Sequence, residues 1–165
     1  ERFPEIMEVF EYNPARIHFT SKDANWLTEN GWRTVAAGNL QQGGPMLEEA
    51  VRRDPRSSRA HLCLGKALLL AGDLGRADQE VGKALELHPM FWDAQLTRAL
   101  VAMRRDKPRE AIDLLERLIK NNPSFAKAYQ VLGEIYAQSG IDPKKAERYF
   151  EQYRLLVKAG EPTGG

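Results

Sequence analysis

A small residue recurs at intervals of 34 residues along most of the chain, at Gly31, Gly65, Ala99 and Gly133. Three further series share this spacing: Gly38, Gly72, Asp106 and Gly140; Pro55, Pro89 and Pro123; and Gly43, Ala77 and Ala111, with Ala146 one residue late. A bulky apolar residue follows four positions after the last series, at Leu47, Val81, Leu115 and Phe150. A fixed period of roughly 20–50 residues is typical of proteins that stack one structural unit repeatedly. The sequence therefore predicts a repeat protein.

The clearest copy runs from Ser57 to Phe91 and predicts a hairpin of two helices. Apolar residues at helical spacing mark each helix: Leu64, Ala67, Leu68 and Leu70 in the first, and Ala77, Val81, Ala84, Leu85 and Leu87 in the second. Gly72 and Asp73 predict the turn, since glycine reaches positive φ without a Cβ clash. Pro89 ends the hairpin. Gly65 and Ala77 are expected to face each other, because helix axes approach closely only between small residues. Glu80 is expected on a more open face.

These residues resemble the tetratricopeptide repeat family, through Leu64-Gly65, Leu68, Gly72-Asp73, Ala77, Ala84 and Pro89 on the family's period. The resemblance implies an all-α, right-handed superhelical solenoid of antiparallel helix hairpins. It covers residues 24–160 as four repeats, at about 24–57, 58–91, 92–125 and 126–160. The first is degenerate, because Gly43-Gly44-Pro45 falls where its second helix should already run. Proline is tolerated near a helix start, so this helix is expected to begin late and to be short.

The two flanks carry their own predictions. Residues 1–23 form an N-terminal docking segment, in which Phe3, Ile6, Met7, Val9 and Phe10 supply the apolar side of a short helix. Thr20 and Asp23 resemble a capping box for the first repeat. Ala146 to Val157 predicts a long final helix, and residues 161–165 a disordered tail.

Composition limits the function classes. A net charge of +1 provides no general field for nucleic acid, and no apolar run is long enough to insert in a membrane. The arginine-rich stretches at 52–59 and 104–109 are interrupted by acidic residues, as in solvated turns. The single cysteine, Cys63, excludes an internal disulfide and fits a reducing compartment, which slightly favours the cytoplasm. Because the sequence starts at Glu1, an upstream signal, anchor or domain stays open.

No arrangement of residues indicates catalysis or a cofactor. The histidines His18, His61 and His88 are far apart and lack cysteine or carboxylate neighbours at ligand spacing, so structural roles are expected for all three. Cys63 is expected to be a buried or half-buried thiol. Phosphate loops, dinucleotide fingerprints and nucleophile elbows are absent from the sequence. The sequence therefore predicts a protein that is not an enzyme.

The resemblance implies a concave groove lined by the first helix of each hairpin. The residues expected to bind a partner there are Trp32, Leu62, Cys63, Lys66, Leu69, Leu96, Leu100, Met103, Arg104, Lys127 and Val131. Their apolar members form a stripe suited to an amphipathic helix or an extended segment. One subgroup of the family clamps a chaperone's C-terminal carboxylate with lysine, asparagine and arginine at set groove positions. In the register that starts at Ser58 these positions hold Leu62, Lys66, Thr97, Lys127 and Val131, and one repeat earlier they hold Thr28, Trp32, Cys63, Asp93 and Thr97. Neither set offers the needed combination of cationic and amide donors, so that ligand is not expected.

Three functions remain open at this stage. The first is a scaffold that binds a protein or peptide segment in the groove. The second is a self-assembly module that forms homo-oligomers through residues 3–10 or the last helix. The third is a regulatory or tethering domain of a larger enzyme.

Overall fold

The computed structural model describes residues 23–140 and 142–160, and within these ranges the regular structure is entirely helical. The helices pair in sequence as four hairpins. The first two hairpins contain α1 (Asp23–Ala36), α2 (Leu40–Arg53), α3 (Ser58–Ala71) and α4 (Leu74–Leu87). The others contain α5 (Trp92–Arg104), α6 (Pro108–Asn121), α7 (Ala126–Ser139) and α8 (Pro143–Gly160). The predicted all-α class is confirmed.

The chain divides into two compact units, with the boundary between Leu87 and His88. In the first unit, α1 packs on α2 and α3, and α3 packs on α4. Leu27, Ala50 and Ala60 join the two hairpins of this unit in one buried cluster. In the second unit, the core is built by α5 to α8 around Leu115, Leu118 and Leu132, none of which is exposed.

The 34-residue spacing reflects one packing contact, which is seen at the glycines of the first, second and fourth hairpins. A Cβ added at Gly65 would lie 2.6 Å from Val81 Cγ2, and one at Gly133 would lie 2.8 Å from the Phe150 ring. At Gly31 an added Cβ would lie 3.0 Å from Leu47 Cγ. The small residue therefore lets the bulky residue of the second helix lie against the first helix's backbone. The Cβ built at Gly65 also approaches the Ala77 carbonyl oxygen at 3.4 Å, so the expected Gly65–Ala77 contact is confirmed.

A second series marks the turns inside the hairpins. Gly38, Gly72 and Gly140 have φ values of 91°, 83° and 63°, and Asp106 has 58°. All four positions of this series are thus left-handed, a conformation that costs glycine little and aspartate less than most residues. Gly72 ends α3, with its N–H directed at the carbonyls of Leu68 and Leu69.

The expectation that α2 begins late and is short is wrong. The helix runs through 14 residues from Leu40, and Asn39 accepts a hydrogen bond from the Gln42 N–H at its start. Pro45 lies inside the helix. Gly43 is needed for packing, because a Cβ there would lie 2.6 Å from the Gly31 carbonyl oxygen. Tertiary packing of α2 on α1 thus overrides a poor helical sequence.

This sequence should still make α2 the least protected helix of the first unit. Each glycine within a helix costs about 1 kcal/mol relative to alanine, and an interior proline costs about 3 kcal/mol. In native-state hydrogen exchange, amides of residues 38–50 are expected to exchange before those of 60–87. Equal protection in the two segments would show that packing fully compensates the sequence.

The expected helix over residues 3–10 and the capping box at Thr20 lie outside the described residues. The predicted final helix corresponds to α8, which begins at Pro143 and continues to Gly160.

Candidate functional site

The first unit has a surface where α1 and α3 lie side by side, with an aromatic ring and a cation at its centre. Trp32 of α1 and Lys66 of α3 are both half-buried. The Lys66 ammonium lies 5.3 Å from the centroid of the Trp32 ring. At a partly exposed position such a cation–π contact contributes about 0.5–1 kcal/mol. It therefore holds a positive charge above an apolar surface.

Two leucines extend this surface toward the end of α3. Leu69 is half-buried, and Leu70 is 59% exposed, the most exposed large apolar side chain described. Because residues four apart share a helix face, Leu70 lies on the same side of α3 as Lys66. Its exposure distinguishes it from Leu64 and Leu68, with which the helical pattern grouped it and which are buried. We call Trp32, Lys66, Leu69 and Leu70 the α1–α3 face.

A second cation flanks this face near the start of α3. Arg59 Nη1 lies 3.4 Å from Glu29 Oε1, and both side chains are more than half exposed. An ion pair with this exposure contributes about 0–1 kcal/mol. Arg59 can therefore exchange Glu29 for a carboxylate of a bound ligand at little cost.

The second unit carries a smaller set of predicted site residues. Leu100 and Met103 are half-buried on α5, and Arg104 is exposed at its end. On α7, Lys127 donates to Gln130 Oε1 at 2.9 Å, and Gln130 donates to Glu134 Oε1 at 2.8 Å. The Lys127 ammonium is therefore part of a hydrogen-bond network along α7.

Four of the predicted site residues are too deeply buried to contact a ligand in a groove. Leu62 is 3% exposed and Leu96 8% exposed, and Cys63 and Val131 are also buried. The expectation that these positions are open is wrong, because Leu96 and Val131 belong to the buried core cluster of the second unit. Leu62 and Cys63 lie in a run of buried residues on α3. They support the surface and offer a ligand little area.

A buried polar network, which the sequence did not indicate, links α3 and α4. His61 Nδ1 lies 2.6 Å from Glu80 Oε2, and His61 Nε2 lies 3.0 Å from the Pro55 carbonyl oxygen. Lys83 donates to Glu80 Oε1 at 2.9 Å. Glu80 is thus buried, and the expectation of an open position there is wrong.

Burial and the neighbouring side chains have opposite effects on the pKa of Glu80. Burial acts to raise the pKa of Glu80, but hydrogen bonds and charges from Lys83 and His61 outweigh it and lower the pKa below its usual value. An ionised carboxylate and a carbonyl oxygen both only accept hydrogen bonds, so the His61 ring lies between two acceptors. The network joins two helices, and its part in the molecule is structural.

In the second unit, aromatic side chains fasten α8 to its neighbours. The Tyr136 and Tyr149 rings stack with centroids 5.7 Å apart, and the Tyr149 hydroxyl donates to Glu116 Oε1 at 3.3 Å. Burial, with the nearby Glu116 carboxylate, raises the pKa of Tyr149 to about 12. These contacts pack α8 against the rest of the second unit.

Two searches of the described ranges bear on other kinds of site. Residues 23–140 and 142–160 contain no group of three His, Cys, Asp or Glu side chains placed to hold a metal ion. None of the helices in that part of the chain is long and apolar enough to cross a membrane.

The chain belongs to the tetratricopeptide repeat family. The family's model matches residues 28–89 and 96–159, which together form most of the sequence. The recognition made from Leu64-Gly65, Ala77 and Pro89 is thus confirmed. Repeats of this kind stack into extended surfaces that bind other molecules.

Curated relatives are much longer than this chain. Protein O-mannosyl-transferase Tmtc3 of Drosophila melanogaster is 26% identical over 104 residues, covering 63% of this chain. Tetratricopeptide repeat protein 21B of Xenopus laevis is 27% identical over 146 residues, covering 88% of it. The chain spans 11% of the length of each of these relatives.

Solved structures show the same fold. A crystal structure of MamA matches with a TM-score of 0.69 at 23% identity, covering 93% of this chain and 85% of that one. The first TPR of Spaghetti (RPAP3), bound to the HSP90 peptide SRMEEVD, matches with a TM-score of 0.66 at 19% identity. That match covers 74% of this chain and 99% of the other.

Proposed function

We propose that this chain is a non-catalytic scaffold that binds an apolar helical or extended protein segment along the first helices of its hairpins. In the first unit the binding surface is the α1–α3 face. Its apolar side chains supply contact area, and Lys66 and Arg59 bind acidic residues of the ligand. In the second unit Leu100 and Met103 supply the contact area, and Arg104 and Lys127 bind acidic residues.

One observation carries this proposal most directly. Leu70, at 59% exposure, lies beside half-buried Leu69 and on the same side of α3 as Lys66, which covers Trp32. Exposed apolar surface bordered by charge is common at binding sites. The Spaghetti repeats, bound to an acidic peptide, provide a precedent for a peptide ligand on this fold.

The test is peptide selection on the whole protein, followed by affinity measurement on substituted chains. We expect a displayed random library to yield peptides with apolar residues at helical spacing and acidic flanks. Leu70→Asp and Lys66→Glu should each weaken binding of a selected peptide by about tenfold, roughly 1.4 kcal/mol. Leu70 is exposed, and Lys66→Glu removes only the contact with Trp32, so thermal melts should show folded proteins with a loss of stability of at most about 1 kcal/mol.

Matched controls are available elsewhere in the chain. Leu155 is 56% exposed on α8, and Lys120 is exposed at the end of α6. Leu155→Asp and Lys120→Glu should leave peptide affinity unchanged. If the control substitutions weaken binding as much as those at Leu70 and Lys66, the α1–α3 face is not the site.

Self-assembly is a second candidate function, favoured by the exposed apolar residues near the end of α8. Leu155 and Val157 are 56% and 39% exposed. If copies associate through this helix, light scattering will show a dimer that Leu155→Asp converts to a monomer. A monomer at all concentrations tested argues against this candidate.

A third candidate is a regulatory or tethering domain of a larger enzyme. The likeness to a short part of Tmtc3, whose name describes a transferase, favours it. The full reading frame that encodes this chain would decide between a fragment of an enzyme and an independent scaffold.

A further inference from the structure

The residues that precede α1 have a composition that complements the α1–α3 face. Residues 1–22 lie outside the described ranges, but their sequence is informative. Residues 1–11, ERFPEIMEVFE, contain four glutamates and one arginine, a net charge of −3. The rest of the chain is positively charged, because the whole carries +1. This excess lies outside residues 23–87, which contain eight Lys and Arg against nine Asp and Glu. The cations that complement the acidic segment are therefore Lys66 and Arg59 at the α1–α3 face.

The apolar residues of this segment have the spacing that a groove ligand needs. Phe3, Ile6, Met7 and Phe10 stand at i, i+3, i+4 and i+7, while Glu5 and Glu8 fall between them. An amphipathic helix docks in a groove through anchors at this spacing. The segment therefore has the ligand chemistry that the proposed function assigns to the α1–α3 face.

We propose that residues 3–10 bind in cis to the α1–α3 face and act as a built-in competitor of the external ligand. The apolar anchors lie against Trp32, Leu69 and Leu70, and the glutamates pair with Lys66 and Arg59. This inference rests on the proposed function, since it identifies an occupant of the same surface.

The connecting chain is long enough for this contact. Residues 11 to 23 are joined by twelve peptide links, which reach about 40 Å when extended. Helix α1, with its 14 residues, is about 21 Å long. The segment can thus reach any point of the face. A short covalent connection provides an effective concentration of about 1 mM or more, so weak contacts suffice for occupancy in cis.

A spin label provides the test on the full chain. In a Cys63→Ala background, Glu8→Cys carries the label on the polar side of the segment. We expect the amide signals of residues 32–36 and 66–71 to fall below half of their intensity in the reduced control. The signals of residues 126–139 should keep theirs. Lys66→Glu or Leu70→Asp should restore the lost intensity, whereas Lys120→Glu should not.

A mixture of two samples distinguishes binding within one chain from binding between two copies of the chain. When a spin-labelled chain without ¹⁵N is mixed with a ¹⁵N chain without a label, binding in cis causes no loss of signal. Loss in the mixed sample that disappears on dilution would identify a second copy as the occupant and overturn the proposal. Signals unaffected in both samples would also overturn it.

The proposed function has its own readout. If the spin label has no effect but Leu70→Asp still weakens binding of a selected peptide, the face binds external ligands and only the competitor is rejected. If both experiments fail, the face itself is rejected.

Discussion

Replacing Glu80 by alanine is expected to lower the free energy of unfolding by about 3 kcal/mol, at the upper end of the range for leaving a buried polar group without its hydrogen-bond partner. The substitution leaves His61, only 4% exposed, with its Nδ1 facing no carboxylate. A buried polar group without a partner costs more than the pair contributes. Urea denaturation followed by helical circular dichroism measures the change.

Two controls identify the cause of this loss. Lys83 is the other partner of the Glu80 carboxylate, and the Lys83 side chain is 51% exposed. Lys83→Ala should therefore cost only about 0–1 kcal/mol. The double variant His61→Leu with Glu80→Leu replaces the pair with apolar groups and should recover most of the stability. If the double variant is as unstable as Glu80→Ala, the His61–Glu80 pair makes a net contribution to stability, and the loss in Glu80→Ala is not only the cost of an unpaired His61.

The same carboxylate gives stability a defined pH dependence. The pKa of Glu80 is lowered in the folded protein, so between its folded and unfolded values the unfolded chain binds more protons. Its contribution is therefore present above the ordinary pKa of 4.5 and is lost as the pH falls through the folded value. Glu80→Gln should flatten the acid limb of the stability curve. An identical acid limb in this variant would contradict the assignment.

Adjacent glycines in α2 are expected to respond oppositely to alanine. Gly43→Ala should destabilise the protein by about 1–3 kcal/mol, since overpacking costs this much. The new Cβ would lie 2.6 Å from the Gly31 carbonyl oxygen and 2.8 Å from the Val35 nitrogen. These backbone atoms can move away only by separating α1 from α2. Chemical denaturation should show a lower midpoint with an unchanged slope.

Gly44→Ala is the matched control, one position away in the same helix. An added Cβ at Gly44 has no neighbour within 4 Å, so only the helix propensity changes, and alanine should stabilise by up to about 1 kcal/mol. If both substitutions stabilise the protein, the two helices are not in the close contact described.

The sequence was sufficient to predict the hairpins because their packing repeats. The small residue at Gly65 and the bulky one at Val81 recur in each unit of 34 residues, so each copy supports the interpretation of the others. The turn series was equally informative, and even Asp106, which departs from glycine, has positive φ. Helix propensity failed at Gly43, where glycine serves the contact with α1.

The candidate site was less predictable, because exposure depends on neighbouring helices. Leu69 and Leu70 are adjacent leucines, and the helical pattern grouped Leu70 with Leu64 and Leu68, which are buried. Leu70 is nevertheless more exposed than Leu69. His61 and Glu80 are 19 residues apart, and this spacing does not correspond to a known sequence motif. The Gly65–Ala77 contact provides a signal for that pair, since it brings the preceding turn of α3 beside the following turn of α4.

The most direct test of the α1–α3 face as a binding surface is a titration of the ¹⁵N-labelled full chain with a selected acidic peptide. Spectra recorded in excess peptide allow for competition from residues 3–10. The account predicts that the largest shift changes fall on the Trp32 indole and the amides of Lys66, Leu69 and Leu70, with little change in α6 and α8. Changes centred on α8, or spread evenly over the chain, would contradict it.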